Sequence, residues 1–126
     1  MQKILILIIV ISSSRCVSAQ LANTSWKGNF NIPDPTEMIL KFKTDTLLLN
    51  YPYGSAIETM SYKINNDTLS IQKLAGQSQC SYSKDATYII KIKDKKLFIS
   101  PLSDDCYDRV NSWSSKGLEK IESGNL

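Results

Sequence analysis

The residues that could do chemistry in this chain are few, and most of them are acidic. The 126-residue sequence has no histidine, no glycine-rich phosphate loop and no zinc-spaced cysteine set. Asp104, Asp105 and Asp108 lie close together, but their spacing does not match a calcium-binding loop. A solvated helix start with Ser103 as N-cap explains these carboxylates better than an acid and base pair does. We therefore predict that the protein is not an enzyme and has no metal site and no cofactor.

The N-terminus has the layout of a signal peptide that targets a protein for export. Lys3 precedes the apolar run 4–11, and Val17-Ser18-Ala19 supplies small residues of the kind that a signal peptidase reads. We predict a signal peptide over residues 1–19, cleaved near Ala19, and one domain over residues 20–126. The protein is accordingly expected to be secreted or periplasmic.

Two other interpretations of the N-terminus are less favoured. A membrane anchor needs about 20 consecutive apolar residues, and the run 4–11 is much shorter. Lipid attachment at Cys16 is the other alternative, but Arg15 directly before it does not fit a lipobox. No later segment is long and apolar enough for a membrane span, so we predict none in the mature chain.

Cys80 and Cys106 are the cysteines that remain after removal of the leader. An even pair in an exported chain predicts a disulfide, with two unpaired buried thiols as the alternative. In the chain-entropy description, such a bond would stabilise the domain by about 3 to 4 kcal/mol.

Charge and short surface motifs say little about partners. The full chain carries a net charge of +3, and loss of Lys3 and Arg15 with the leader lowers it to about +1. Nothing here calls for nucleic acid or an anionic membrane as a partner. Asn23 and Asn66 each begin a glycosylation acceptor pattern, which matters only in a eukaryotic source.

The elements that must position these residues are short segments in which apolar and polar residues alternate, as in β-strands. In the first of them, Trp26, Phe30 and Ile32 share a face. Tight turns such as Asp94-Lys95 separate later segments. The eight predicted strands cover residues 26–32, 37–43, 47–49, 60–64, 69–71, 88–93, 96–100 and 117–122.

This succession predicts an all-β fold, an eight-stranded antiparallel up-and-down barrel with one short helix over 104–113 before the last strand. Closing the first strand on the last removes exposed edges, and an open two-layer sandwich is the alternative. Successive connections of a meander alternate between its ends. Cys80 and Cys106 then fall in loops at the same end, which permits the disulfide.

Two short motifs resemble lipocalin-like proteins. The segment Leu21-Ala22-Asn23-Thr24-Ser25-Trp26-Lys27-Gly28 is similar to the Gly-x-Trp opening of that family, with Thr24 in place of the Gly. The segment Asp104-Asp105-Cys106-Tyr107-Asp108-Arg109 resembles the closing Asp-x-Cys-x-x-Arg segment of small bacterial exported lipocalin-like domains. The resemblance implies a calycin-type barrel, but it does not identify a ligand.

The family's Arg that packs over the Trp is not expected here. Arg109 precedes the last strand, so it belongs at the opposite mouth of the barrel from Trp26. We expect Trp26 to plug the core. Arg109 is expected to pair with a neighbouring acid such as Asp105 or Asp108.

The predicted inward face carries no charged residue, which favours the binding of a small apolar or amphipathic molecule in the barrel interior. The predicted ligand-binding residues are Phe30, Leu40, Phe42, Met60, Tyr62, Tyr88 and Ile90. The alternative is a protein-interaction module, such as a secreted inhibitor or a structural domain, on a packed and ligand-free barrel. Its contact segment would be Tyr51-Pro52-Tyr53-Gly54-Ser55, because Tyr beside Gly and Ser is a common contact composition.

Overall fold

A computed structural model describes residues 20–122, which form a closed barrel of eight antiparallel strands paired in chain order. The strands and the helix are β1 (Thr24–Asn31), β2 (Pro35–Phe42), β3 (Thr46–Asn50), β4 (Ala56–Asn65), β5 (Thr68–Gly76), β6 (Ala86–Lys93), β7 (Lys96–Ser103), α1 (Tyr107–Ser112) and β8 (Leu118–Ile121). The barrel closes where β8 pairs with β1, with Trp26 opposite Lys120. The predicted eight-stranded barrel is confirmed, and the signal peptide and Cys16 lie outside the described residues.

The two ends of the barrel differ in their connections. One, the turn end, carries the short connections 43–45, 66–67 and 94–95. Asp94 and Lys95 both have positive φ angles, of 52° and 64°, as a two-residue hairpin turn requires. The other, the loop end, carries residues 32–34, 51–55, 77–85 and 104–117, so the long segments all gather at one mouth.

Alternate side chains of each strand form the core. Trp26 is buried near the turn end, as predicted. There Phe42 and Tyr62 pack edge to face, with ring centroids 5.3 Å apart. The Tyr62 hydroxyl donates to the Lys43 carbonyl, so this buried phenol is satisfied by the protein itself. The turn end of the barrel is filled by side chains.

A β-bulge near the loop end changes the pairing of β4 with β5. The pairing of β4 with β5 shifts after Thr59, which lies opposite Ala75, while Met60 lies opposite Lys73. Leu74 is therefore the extra residue, and its side chain is half exposed. Lys73 is buried, in phase with Leu69 and Ile71. Beyond the bulge, Gly76 lies opposite Glu58.

The helix is shorter than the sequence predicted. It begins at Tyr107, with Cys106 and not Ser103 as the N-cap residue. The cause lies in Asp104, whose carboxylate accepts a hydrogen bond from the Cys106 backbone N–H at 2.9 Å. This side chain turns into the barrel mouth and is not part of a solvated helix start.

Candidate functional site

The loop end contains a cavity of about 470 Å³ that opens to solvent. Apolar side chains of four strands form its inner wall: Phe30 of β1, Leu40 of β2, Leu49 of β3, and Ile57 and Met60 of β4. Its mouth is bounded by the end of β1, by loop residues and by α1: Asn31, Gln77, Ser78, Cys80, Tyr107, Asp108, Arg109, Asn111, Ser112 and Trp113. The volume is within the range of pockets that hold small molecules, about 300 to 1,000 Å³.

Arg109 of α1 enters the mouth as a buried cation. Its Nε donates to Oδ2 of Asp104 at 2.6 Å, and its Nη2 donates to Oδ1 at 2.9 Å. This is a bidentate ion pair, the geometry in which a guanidinium binds a carboxylate most strongly. Asp105 and Asp108, the partners expected from the sequence, are both exposed, so that expectation was wrong in its choice of partner. Of the three aspartates 104, 105 and 108, only Asp104 lies close enough to the interior to neutralise a buried guanidinium.

Tyr88 of β6 completes this network by donating its hydroxyl to Asp104. Burial opposes the charged form of Asp104, but the bonds from Arg109, Tyr88 and the Cys106 N–H outweigh it and lower the pKa of this carboxyl. Burial and the bond to Asp104 both raise the pKa of Tyr88, which holds the phenol in its donor form. Asp104 is therefore an ionised acceptor shared by three donors.

Trp113 follows α1 and packs over the interior. Its ring lies 5.6 Å from the Phe30 ring and 5.3 Å from the Tyr88 ring, centroid to centroid. Its Nε1 is buried and has no well-formed hydrogen bond among residues 20–122.

A second buried charge pair borders the cavity from the strand side. Glu58 of β4 and Lys73 of β5 lie 3.8 Å apart, with 9% and 2% of their side chains exposed. The Ser78 hydroxyl and backbone N–H donate to the two carboxylate oxygens of Glu58, at 2.6 and 3.2 Å. Lys73 donates to the Ser78 carbonyl at 2.6 Å and lies over the Tyr82 ring. The pair thus holds the loop 77–85 against the barrel.

Gly76 makes this arrangement possible. Its φ angle is +142°, a conformation that residues with a side chain rarely adopt. A Cβ atom there would lie 2.2 Å from Oε2 of Glu58 and 2.7 Å from the Ile57 carbonyl oxygen. The Glu58 carboxylate therefore occupies space that only glycine leaves open.

The disulfide between Cys80 and Cys106 joins the two long segments of the loop end, and the prediction of this bond is confirmed. Its Cα atoms are 5.3 Å apart, and the two residues are 26 apart in sequence. Ser78 and Gln77 lie just before one cysteine, and Tyr107 to Arg109 just after the other. The bond therefore connects the Glu58 side of the cavity mouth to its Arg109 side.

The predicted ligand-binding residues divide into two groups. Phe30, Leu40 and Met60 line the cavity. Phe42 and Tyr62 pack at the turn end, and Tyr88 and Ile90 are buried in the core without lining the cavity. The hydroxyls of Tyr62 and Tyr88 both have protein acceptors, so neither needs a ligand as partner.

Sequence reasoning missed Glu58 and Lys73, because the predicted strands 60–64 and 69–71 end before these two buried positions. The signal was present in the alternation. Glu58 lies two residues before the inward Met60, and Lys73 lies two residues after the inward Ile71. Extending the same face by one step in each strand identifies both.

A smaller cavity of about 300 Å³ lies beside the disulfide, and polar residues such as Lys84, Asp85 and Asp105 are among those that line it. Within residues 20–122, no group of three or more acidic or sulfur residues is arranged to hold a metal ion. No helix in the same range is long and apolar enough to cross a bilayer.

Comparisons of the chain with protein-family models, with curated proteins and with solved structures find no match. The eight-stranded barrel is compatible with the lipocalin-like resemblance of the two motifs.

Proposed function

We propose that the protein binds a small apolar or amphipathic molecule in the loop end of its barrel. The observation that carries this proposal is the cavity of about 470 Å³, whose inner wall is formed by Phe30, Leu40, Leu49, Ile57 and Met60. A ligand seated there removes apolar surface from water, which is the main source of affinity in such sites. The protein acts by binding and not by catalysis.

The proposed place of action is outside the cytoplasm. The signal-peptide layout of residues 1–19 supports export of the mature chain. The bond between Cys80 and Cys106 supports it independently, because disulfides persist in oxidising compartments. We therefore propose that the protein is a secreted or periplasmic binding protein.

Binding is tested by titrating the oxidised protein with N-phenylnaphthylamine, an apolar fluorescent probe. We expect saturable binding that is weakened about tenfold by Ile57→Phe, because a larger side chain reduces the cavity. The matched control is Ile64→Phe, which changes another isoleucine of β4 that lies outside the cavity. Absence of saturable binding by the folded protein, or equal weakening by both variants, would overturn the proposal.

A second candidate is a protein-interaction module that uses the loop end as its contact surface. Tyr53 is fully exposed and Tyr51 is partly exposed, while Tyr82 is exposed on a neighbouring loop and Tyr107 at the start of α1. Exposed tyrosines supply contact area at low entropic cost. A protein without saturable probe binding, whose association with a protein partner is lost in Tyr51→Ser/Tyr53→Ser, would establish this candidate in place of the first.

A further inference from the structure

The charged groups at the cavity differ in how many of their hydrogen-bonding atoms have a partner. Both carboxylate oxygens of Glu58 are engaged, one by the Ser78 hydroxyl and Lys73 and the other by the Ser78 N–H. Asp108 is exposed, so its charge is screened by water. Arg109, which is 8% exposed, uses Nε and Nη2 on Asp104.

The third nitrogen of the Arg109 guanidinium, Nη1, is buried and has no hydrogen-bond partner among residues 20–122. A guanidinium cannot lose its charge to relieve this, and an unsatisfied buried donor is costly. Trp113, which also borders the cavity, has a second buried N–H without a well-formed bond in that part of the chain. Asn50 carries the one other unpartnered buried side-chain atom found there, an acceptor, and it does not line the cavity.

Among residues 20–122, the side chains that border the cavity therefore include two buried donors without a well-formed hydrogen bond and no unpartnered buried acceptor. We infer that the cavity selects amphipathic molecules with an anionic, carboxylate-type head that accepts a hydrogen bond from Arg109, an inference that rests on the proposed binding function. The apolar tail lies on Phe30, Leu40 and Met60, and the head lies at the mouth beside α1. A cationic head would bring only donors to a wall whose buried carboxylate, Glu58, is already engaged at both oxygens by Ser78 and Lys73.

Three probes with the same ten-carbon tail, decanoate, decanol and decylamine, differ only in the head group. Calorimetry at neutral pH measures the affinity of the protein for each. We expect decanoate to bind about tenfold or more tightly than decanol, because charge-assisted hydrogen bonds are the stronger ones. Decylamine is expected to bind more weakly than decanol. If decanol binds as tightly as decanoate, the head selection is wrong and the binding function stands. If none of the three binds, both are wrong.

Arg109→Lys tests the residue, because lysine keeps a cation beside Asp104 but lacks the forked nitrogens. We expect decanoate affinity to fall to the level of decanol, with decanol affinity unchanged as the internal control for a folded cavity. Lys84→Met, which removes an exposed cation outside the cavity, should change neither. Preference for decanoate that survives in Arg109→Lys would overturn the inference.

A spectroscopic test needs no change at Arg109. Arg109 is the only arginine of the mature chain expected after cleavage near Ala19, because Arg15 lies in the leader, so ¹⁵N-arginine labelling gives one guanidinium to observe by NMR. We expect decanoate to shift the Arg109 side-chain resonances and slow the exchange of their protons, while decanol does neither. Identical spectra with the two probes would contradict the inference, whether or not Arg109→Lys folds.

Discussion

Glu58 and Lys73 face each other inside the barrel, 3.8 Å apart, at positions where period-two alternation continues the apolar core. The pair is held by Ser78, which binds both partners through its hydroxyl, N–H and carbonyl. A buried ion pair adds little net stability by itself, because both charges must leave water. Its structural effect is to attach the loop 77–85 to the barrel beside the cavity.

Removal of one member of this pair should be strongly destabilising. We expect Lys73→Met to lower the free energy of unfolding by about 3 to 5 kcal/mol, because it leaves Glu58 as an uncompensated buried charge. The matched control is Lys84→Met, which breaks the exposed pair with Asp105 and should cost at most about 1 kcal/mol. Urea unfolding measures both, and equal losses in the two variants would contradict the buried pair.

The Asp104 network predicts a loss of stability in acid. The folded state lowers the pKa of this carboxyl, so the unfolded state binds its proton first as the pH falls. The stabilisation is complete above the ordinary aspartate pKa of about 3.9 and is lost as the pH falls through the lower folded value. We expect urea unfolding between pH 6 and about pH 2 to show that the free energy of unfolding falls less steeply with decreasing pH in Asp104→Asn than in the wild type. In Asp105→Asn, a change at an exposed position, it should fall as steeply as in the wild type.

The disulfide should contribute to stability and to the shape of the cavity mouth. We expect Cys80→Ser/Cys106→Ser to lower the free energy of unfolding by about 3 kcal/mol, since the bond closes a loop of 26 residues. Binding of N-phenylnaphthylamine should weaken as well, because segments on both sides of the bond line the cavity. Alkylation and mass measurement of unreduced protein check the bond directly. Two freely alkylated thiols there would show that it does not form.

Much of the fold could be predicted from the sequence because its signals are local. Alternation along Trp26, Phe30 and Ile32 identifies a strand, and Asp94-Lys95 identifies a tight turn, without knowledge of the rest of the chain. The count of strands then places Cys80 and Cys106 at one end of the barrel. Each step uses only neighbouring residues or the order of elements.

The site was only partly predictable from the sequence, because its residues depend on partners that are distant in the chain. Phe30, Leu40 and Met60 were found as inward residues, whereas Glu58 and Lys73 were not. Charged residues at strand ends are ordinarily exposed, and alternation alone does not show that Lys73 and Ser78, which is 20 residues from Glu58, compensate for the burial of Glu58.

What the sequence determined by itself is the set of strands, their order and the residues that face inward, because backbone periodicity and turn chemistry act over a few residues. Only the tertiary structure decided that the turn end is packed by Phe42 and Tyr62 while the loop end encloses a cavity. The same holds for the choice of Asp104 as the partner of Arg109. A cavity and a buried charge pair are set by the distances between side chains of different elements, and those distances exist only once the barrel has closed.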